Sequence, residues 1–264
     1  LNLIILEPRE IAPDGAARLS GPRAAHMKKV LGVVPGQTVR VGVLDGALGV
    51  ATVRLVEDGA VGLSCAFEAS PPPLPRVDLL LAVPRPKVMR RLWAQLAALG
   101  VGRVILTNAE KVERPYFDTH VLTPDCYRPL LIEGLQQARD TRLPSVSIHR
   151  RFKVLVEDEL DGLSGPGARL VADPDAIISV REGVASGPGC ALPLRGGFAP
   201  AAGLAADPNA RILLAVGPEG GWNRFELDLL TAHGFVKVGM GARTLRTDTA
   251  CLALLALVHD ALEG

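Results

Sequence analysis

Two short segments near the end of the chain carry the residue types that could do chemistry. The first is Gly217-Pro218-Glu219-Gly220-Gly221-Trp222, directly after the apolar run Ile212 to Val216. The second is Arg243-Thr244-Leu245-Arg246-Thr247-Asp248-Thr249-Ala250, which opens an apolar helix. Glycine lacks a Cβ, so backbone in the first segment can approach a ligand closely or take positive φ. A strand followed by such a turn lies where open α/β sheets bind ligands, beyond the carboxyl ends of strands. In the second segment Thr247 suits a helix cap, and Asp248 suits the positive end of the helix dipole. Arg243 and Arg246 oppose that dipole. Their charge points to an anion or a carbonyl-rich base as partner. A plain tight turn and two solvated arginines are the alternative readings at this level.

Several chemistries are excluded by spacing. The glycine turn is neither the dinucleotide Gly-x-Gly-x-x-Gly nor a P-loop, since no Gly-Lys-Ser/Thr follows, so an NAD-binding oxidoreductase is disfavoured. No Gly-x-Ser-x-Gly elbow is present. The histidines lack His-Glu-x-x-His spacing, and Cys65, Cys126, Cys190 and Cys251 form no Cys-x-x-Cys pair, so no metal is expected. Scattered thiols suit a reducing cytoplasm. Leu1 to Glu10 shows no signal-peptide pattern. The apolar stretch Ala250 to Val258 falls far short of the ~20 residues that span a bilayer, so no membrane partner is expected.

The elements that must position these segments can be read from rhythm. Ser70-Pro71-Pro72-Pro73-Leu74-Pro75 is a stiff, extended connector. It divides residues 1–70 from residues 76–264. Before it, Thr38 to Val43, Val50 to Val56 and Val61 to Phe67 read as short strands of a small antiparallel barrel or sandwich, with turns at Asp45-Gly46 and Asp58-Gly59. A short helix is expected over Ala24 to Leu31, stopped by Gly32. After the connector, strand and helix alternate, which predicts an α/β domain with a mainly parallel sheet. Strands are expected at Val77 to Val83, Val104 to Leu106, Val146 to Ile148, Arg169 to Ala172, Ile212 to Val216 and Val236 to Val238. Helices are expected at Pro86 to Leu99, Pro124 to Arg139, Asn223 to His233 and Thr247 to Leu262. Asn223 with Glu226 has the form of a capping box. Residues 180–209 are Gly/Pro/Ala-rich and read as loops.

Hydrophobic residues make up 48 % of the 264 residues, enough for a sizeable core, and the formal net charge is only +1. Affinity for nucleic acid would therefore have to come from local patches. Three clusters qualify: His26, Lys28 and Lys29; Arg85, Lys87, Arg90 and Arg91; and His149, Arg150, Arg151 and Lys153. Each could be an ordinary charged face. Together they suggest a divided surface attractive to phosphates.

Gly217 to Gly221, together with Gly239-Met240-Gly241-Ala242-Arg243-Thr244-Leu245-Arg246-Thr247-Asp248-Thr249-Ala250, resembles the RsmE-type rRNA uridine-N3 methyltransferases of the SPOUT class. His26-Met27-Lys28-Lys29-Val30-Leu31, Pro35-Gly36-Gln37 and Asp45-Gly46 are similar to the opening of that family's PUA-like RNA-binding domain. Leu99-Gly100-Val101 also fits. The resemblance implies a small PUA-like β-barrel over residues 1–70 and a knotted (trefoil) SPOUT-type α/β domain over residues 76–264. It implies S-adenosylmethionine as cofactor, a homodimer, and small-subunit (16S) ribosomal RNA as partner. The cofactor would lie against three loops: Ala172-Asp173-Pro174, Gly217 to Gly221 and Val238 to Arg246. Its binding residues would be Asp173, Pro174, Val216, Gly217, Pro218, Gly220, Gly221, Val238, Gly239, Met240, Leu245 and Thr247. Arg246, Arg243 and Glu219 would be catalytic. His26, Lys28, Lys29, Arg85, Lys87, Arg90 and Arg91 would meet RNA. The segment Pro84 to Arg91 departs from relatives that carry a glycine and an acidic residue there. Gln136-Gln137-Ala138-Arg139 matches a family Glu-Gln-x-x-Arg element only loosely.

In that chemistry uridine N3 must lose a proton before it attacks. The anion spreads onto two carbonyl oxygens, which a guanidinium can stabilise. Glu219, Asp248 and water are the candidate bases. No cysteine adduct is expected, because the target is a ring nitrogen. Methylation of a ribose 2′-hydroxyl and a noncatalytic role in ribosome assembly are the competing readings.

Overall fold

The structure is a computed structural model that describes residues 2–164, 167–186 and 210–263. Two sheets organise the chain. The first has five strands in the order β1-β3-β4-β5-β2: β1 Ile4–Leu6, β2 Ala16–Ser20, β3 Thr38–Val43, β4 Leu48–Glu57 and β5 Ala60–Phe67. The three expected strands are present. Two more lie outside that expectation: β1 has only three residues, and β2 alternates in burial but carries two alanines and no β-branched residue. The sheet is also not purely antiparallel, because β1 runs parallel to β3. It is an open, curled sheet rather than a sandwich. Its core is formed by Leu6, Leu19, Met27, Val41, Val53 and Leu63 among others. Helix α1, Gly21–Lys29, begins three residues earlier than expected, with Pro22 in its first turn. Gly32 beyond its end has φ 59°, as a glycine stop requires.

The second sheet has six parallel strands in the order β11-β9-β10-β6-β7-β8. They are β6 Val77–Ala82, β7 Val101–Thr107, β8 Ser145–His149, β9 Gly167–Ala172, β10 Arg211–Val216 and β11 Phe235–Val238. β6 lies near the middle and every one of its residues is buried, which explains why all but Asp78 are apolar. Helix α2, Pro86–Ala98, lays Met89, Leu92, Trp93 and Leu96 into the core at helical spacing. Helix α3, Pro124–Ala138, packs on α2 so closely that a Cβ on Gly134 would meet the Ala94 carbonyl oxygen at 2.0 Å. A helical stretch absent from the sequence reading follows β8: α4 Phe152–Val154, a π-turn Leu155–Glu159 and α5 Leu160–Ser164. The reading of residues 180–209 as loops is corrected at its start, where Val180–Ser186 forms α6. Val180 and Val184 are buried there, so a single apolar face suffices to make a short helix among small residues. Residues 187–209, with Cys190, lie outside the described residues. Helices α7, Arg224–Ala232, and α8, Thr247–Glu263, complete the order. Among the described residues no helix is long and apolar enough to cross a membrane.

The first sheet and its flanks also contribute to the core of the second, since Leu3, Ile5 and Leu44 pack with the larger cluster. The Asp45-Gly46 turn is part of the seam. Asp45 has φ 57°. Its N–H donates to the Thr141 carbonyl at 2.8 Å, and its carboxylate accepts the Leu143 N–H at 2.9 Å. The Thr141 hydroxyl donates to the Gly46 carbonyl at 2.6 Å.

At the amino end of the large sheet, Asp78 is buried and held by Arg211, which donates to both carboxylate oxygens at 2.9 and 2.5 Å. Arg211 also donates to the Pro75 carbonyl at 2.8 Å, tying the proline connector to β10. Gly102 leaves room for that guanidinium, which a Cβ would meet at 2.6 Å. Removing the carboxylate strands a mostly buried cation. Asp78→Ala is expected to lower unfolding free energy by about 3–5 kcal/mol, read by chemical denaturation. A loss below about 1 kcal/mol would contradict this role.

Candidate functional site

A cavity of about 360 Å³ opens at the carboxyl ends of β9, β10 and β11. Those three strands are neighbours in the sheet, so the loops that leave them face one another. The cavity is lined by residues from 172–175, 216–222 and 238–247, with Leu227, Ala250 and Leu254 behind. Every residue expected to hold the cofactor is among them: Asp173, Pro174, Val216, Gly217, Pro218, Gly220, Gly221, Val238, Gly239, Met240, Leu245 and Thr247. Glu219 and Arg243 line it as well, whereas Arg246 does not.

The glycines of these loops divide into two kinds. Gly221 and Gly241 have φ 70° and 114°, which an L side chain resists. Gly217, Gly220 and Gly239 have protein neighbours close to where a Cβ would stand, and at Gly239 that neighbour is backbone. A Cβ on them would lie 3.1 Å from Trp222 Cδ1, 2.7 Å from Lys111 Cδ and 2.8 Å from the Ala176 carbonyl oxygen. The glycine turn is closed by the Gly221 N–H donating to the Pro218 carbonyl at 2.8 Å.

Residues from elsewhere brace this turn. Asn223 caps α7 and forms the expected box with Glu226. Glu226 is buried, and its carboxylate also accepts the Glu110 N–H at 2.7 Å. The Asn223 amide donates to the Glu110 carboxylate. Lys111 donates to the Gly220 carbonyl at 2.7 Å. The loop after β7 therefore fixes the loop after β10. Glu110 and Lys111 are missed by sequence reasoning, because nothing in Asn108-Ala109-Glu110-Lys111 differs from a solvated loop. Glu226 carried a signal through its cap position.

The start of α2 supplies a second brace. The Arg85 N–H donates to Glu219 Oε1 at 3.1 Å, and Arg91 Nη2 donates to Asp248 Oδ2 at 2.9 Å. Asp248 Oδ1 accepts the Thr249 N–H at 3.0 Å. Glu219 Oε2 has no hydrogen-bond partner among the described residues. The Arg246 carbonyl accepts the Ala250 N–H at 2.8 Å, which places Arg246 at the cap of α8. Arg243 and Arg246 are exposed, with no ion pair among the described residues. Beneath them the Cys251 thiol is pushed up to about 12 by burial and then by Asp248, so it stays protonated and inert.

The three basic clusters differ in availability. Lys87, Arg90 and Lys29 are exposed. Lys28 is engaged by Asp58 at 2.6 Å. His26 is half-buried, with Nε2 shielded and without a partner among the described residues. In the third cluster His149 is bound to Glu159, Arg150 to Asp118 and Lys153 to Glu157.

The chain matches the family model described as an RNA methyltransferase domain over residues 70–259. It is similar to the ribosomal RNA small subunit methyltransferase E of Treponema pallidum, 29 % identical over 98 % of this chain and 90 % of that protein. The protein of the same name from Synechocystis is 27 % identical over 99 % and 78 %. Among solved structures, the methyltransferase E of Neisseria gonorrhoeae bound to S-adenosyl methionine superposes with a TM-score of 0.73 at 18 % identity, covering 98 % and 97 % of the two chains. The fold is thus shared with that protein. With the family model covering most of its length, the chain belongs to the RNA methyltransferase family, in its RsmE-type branch.

Proposed function

We propose that this protein transfers a methyl group from S-adenosylmethionine to N3 of a uridine in small-subunit (16S) ribosomal RNA. The observation that carries the reading is the meeting of three separate loops, 172–175, 216–222 and 238–247, around one cavity at the carboxyl ends of adjacent parallel strands. The names of the Treponema and Synechocystis relatives and the donor bound in the Neisseria structure support it.

The cavity suits such a donor on its own chemistry. Its volume lies in the range of small-molecule sites. Backbone from three loops, the Asp173 carboxylate and apolar walls from Val216, Val238 and Met240 offer both hydrogen bonds and a nonpolar bed. Trp222 Nε1 is a buried donor in that wall without a partner among the described residues. When bound, the donor supplies an activated methyl group on a sulfonium. The protein's part is to hold the base in line and manage charge. Arg243 at the cavity and Arg246 at the cap of α8 are the guanidiniums available to a pyrimidine anion. Glu219 is better placed than Asp248 to take the N3 proton. It lines the cavity and keeps one oxygen unengaged, while Asp248 is committed to Arg91.

In this reading residues 1–70 form a PUA-like RNA-binding unit and residues 76–264 the knotted catalytic unit. Lys29, Lys87 and Arg90 contact phosphates, which position the strand while the target base is turned out. A homodimer acting in the cytoplasm completes the reading. Ile177 is fully exposed on the loop that carries Asp173, and Leu245 is exposed at the cavity edge, as expected of residues a partner subunit covers.

Arg246→Ala should bind S-adenosylmethionine within about threefold of wild type in calorimetry and lose about 10²–10³ in kcat. Normal turnover would remove Arg246 from the mechanism. Absence of donor binding by the wild type would instead favour the noncatalytic assembly role. RNA affinity should fall linearly on a log–log salt plot. Lys87→Ala with Arg90→Ala should flatten the slope by about 1.5, from two lost phosphate contacts. An unchanged slope would place the RNA elsewhere.

A further inference from the structure

We propose that Arg91 is a positioning residue for methyl transfer, acting through Asp248 to hold the Arg243–Arg246 segment in its working arrangement. The inference rests on the functional reading above. Two contacts leave the start of α2, one to each flank of the cavity. Arg85 reaches Glu219 on the loop after β10, and Arg91 reaches Asp248 on the segment after β11. Between them, Lys87 and Arg90 stand exposed. One helix end thus joins the basic surface to both loops that carry the candidate catalytic groups.

The pair also has an electrostatic consequence. Asp248 is the acidic residue nearest in sequence to Arg243 and Arg246. A free carboxylate there would compete for the Arg246 guanidinium. Arg91 occupies it, and the Thr249 N–H takes its other oxygen. Among the described residues Arg246 is then left without a counter-ion and can answer charge that develops on a substrate base. Arg91 is 63 % exposed and Asp248 20 %, so the pair adds little to global stability. Its value lies in where it fixes the first turn of α8.

The test compares wild type with Arg91→Ala, Arg91→Lys, Asp248→Asn and the double variant Arg91→Ala/Asp248→Asn. Three quantities are read: steady-state methyl transfer to ribosomal RNA, donor affinity by calorimetry, and hydrogen exchange of the Ala250 amide without donor or RNA. Arg91→Ala is expected to lower kcat about 10- to 100-fold, as displacement of an aligned group does. Donor affinity should stay within about threefold and melting temperature within about 3 °C. Lysine should restore part of kcat. The double variant should lose no more than the worse single one, since both remove one interaction. The Ala250 amide should exchange about tenfold faster in Arg91→Ala. A rise in KM for RNA alone, additive losses in the double variant, or unchanged exchange would overturn the proposal. If wild type transfers no methyl group but the exchange difference is present, the positioning stands and the assigned reaction falls.

Discussion

In a parallel sheet every strand ends on the same side, and the chain must leave that side through loops. Here β11, β9 and β10 are consecutive neighbours, so three such loops are forced into one place. The rest of the site depends on this adjacency. Much of the backbone in those loops lies beyond the strand ladders, so it can serve a ligand. The central one of the strands beneath is close-packed and resists shifting to close the gap; β10 has five buried residues of six.

Loops at strand ends are nevertheless mobile unless tied. The ties come from outside the three loops. A buried carboxylate, Glu226, gathers the N–H groups of Asn223 and Glu110. Lys111 holds the Gly220 carbonyl, and the start of α2 reaches Glu219 and Asp248. The two carboxylates that sequence alone offers as bases are thereby made unequal. One faces the cavity with an oxygen to spare. The other is spent on an arginine. Several of the glycines also pack against protein: Trp222, Lys111 or the Ala176 carbonyl stands where a Cβ would go.

Much of this was legible in the chain. The mostly apolar run of β6, the helical spacing of α2 and the cap of α7 follow from periodicity and local hydrogen bonding, and each lies within a residue or two of its expected place. The site segments were legible because glycine and paired arginine beside strand and helix signals are uncommon. What escaped notice was long-range. β1 pairs parallel with β3, a choice made by tertiary packing that three residues cannot announce. The Asp45-Gly46 turn reads as an ordinary hairpin, yet its polar groups dock onto Thr141 and Leu143. Helix α6 hides in a glycine-rich stretch, and the braces Glu110, Lys111 and Arg91 have the composition of plain solvated surface. Arg246, expected to be catalytic, does not line the cavity, while its neighbours Leu245 and Thr247, expected at the cofactor, do.

The reaction assigned to this arrangement asks little covalent work of the protein. It must align a nitrogen with an activated methyl group and stabilise a pyrimidine anion while water is kept away. The most direct measurement is nucleoside mass analysis of ribosomal RNA from cells with and without this protein. Expected is 3-methyluridine in small-subunit RNA that disappears with the gene and returns with the wild-type copy. An identical nucleoside profile in both cells, or a change confined to a ribose-methylated nucleotide, would contradict the assignment.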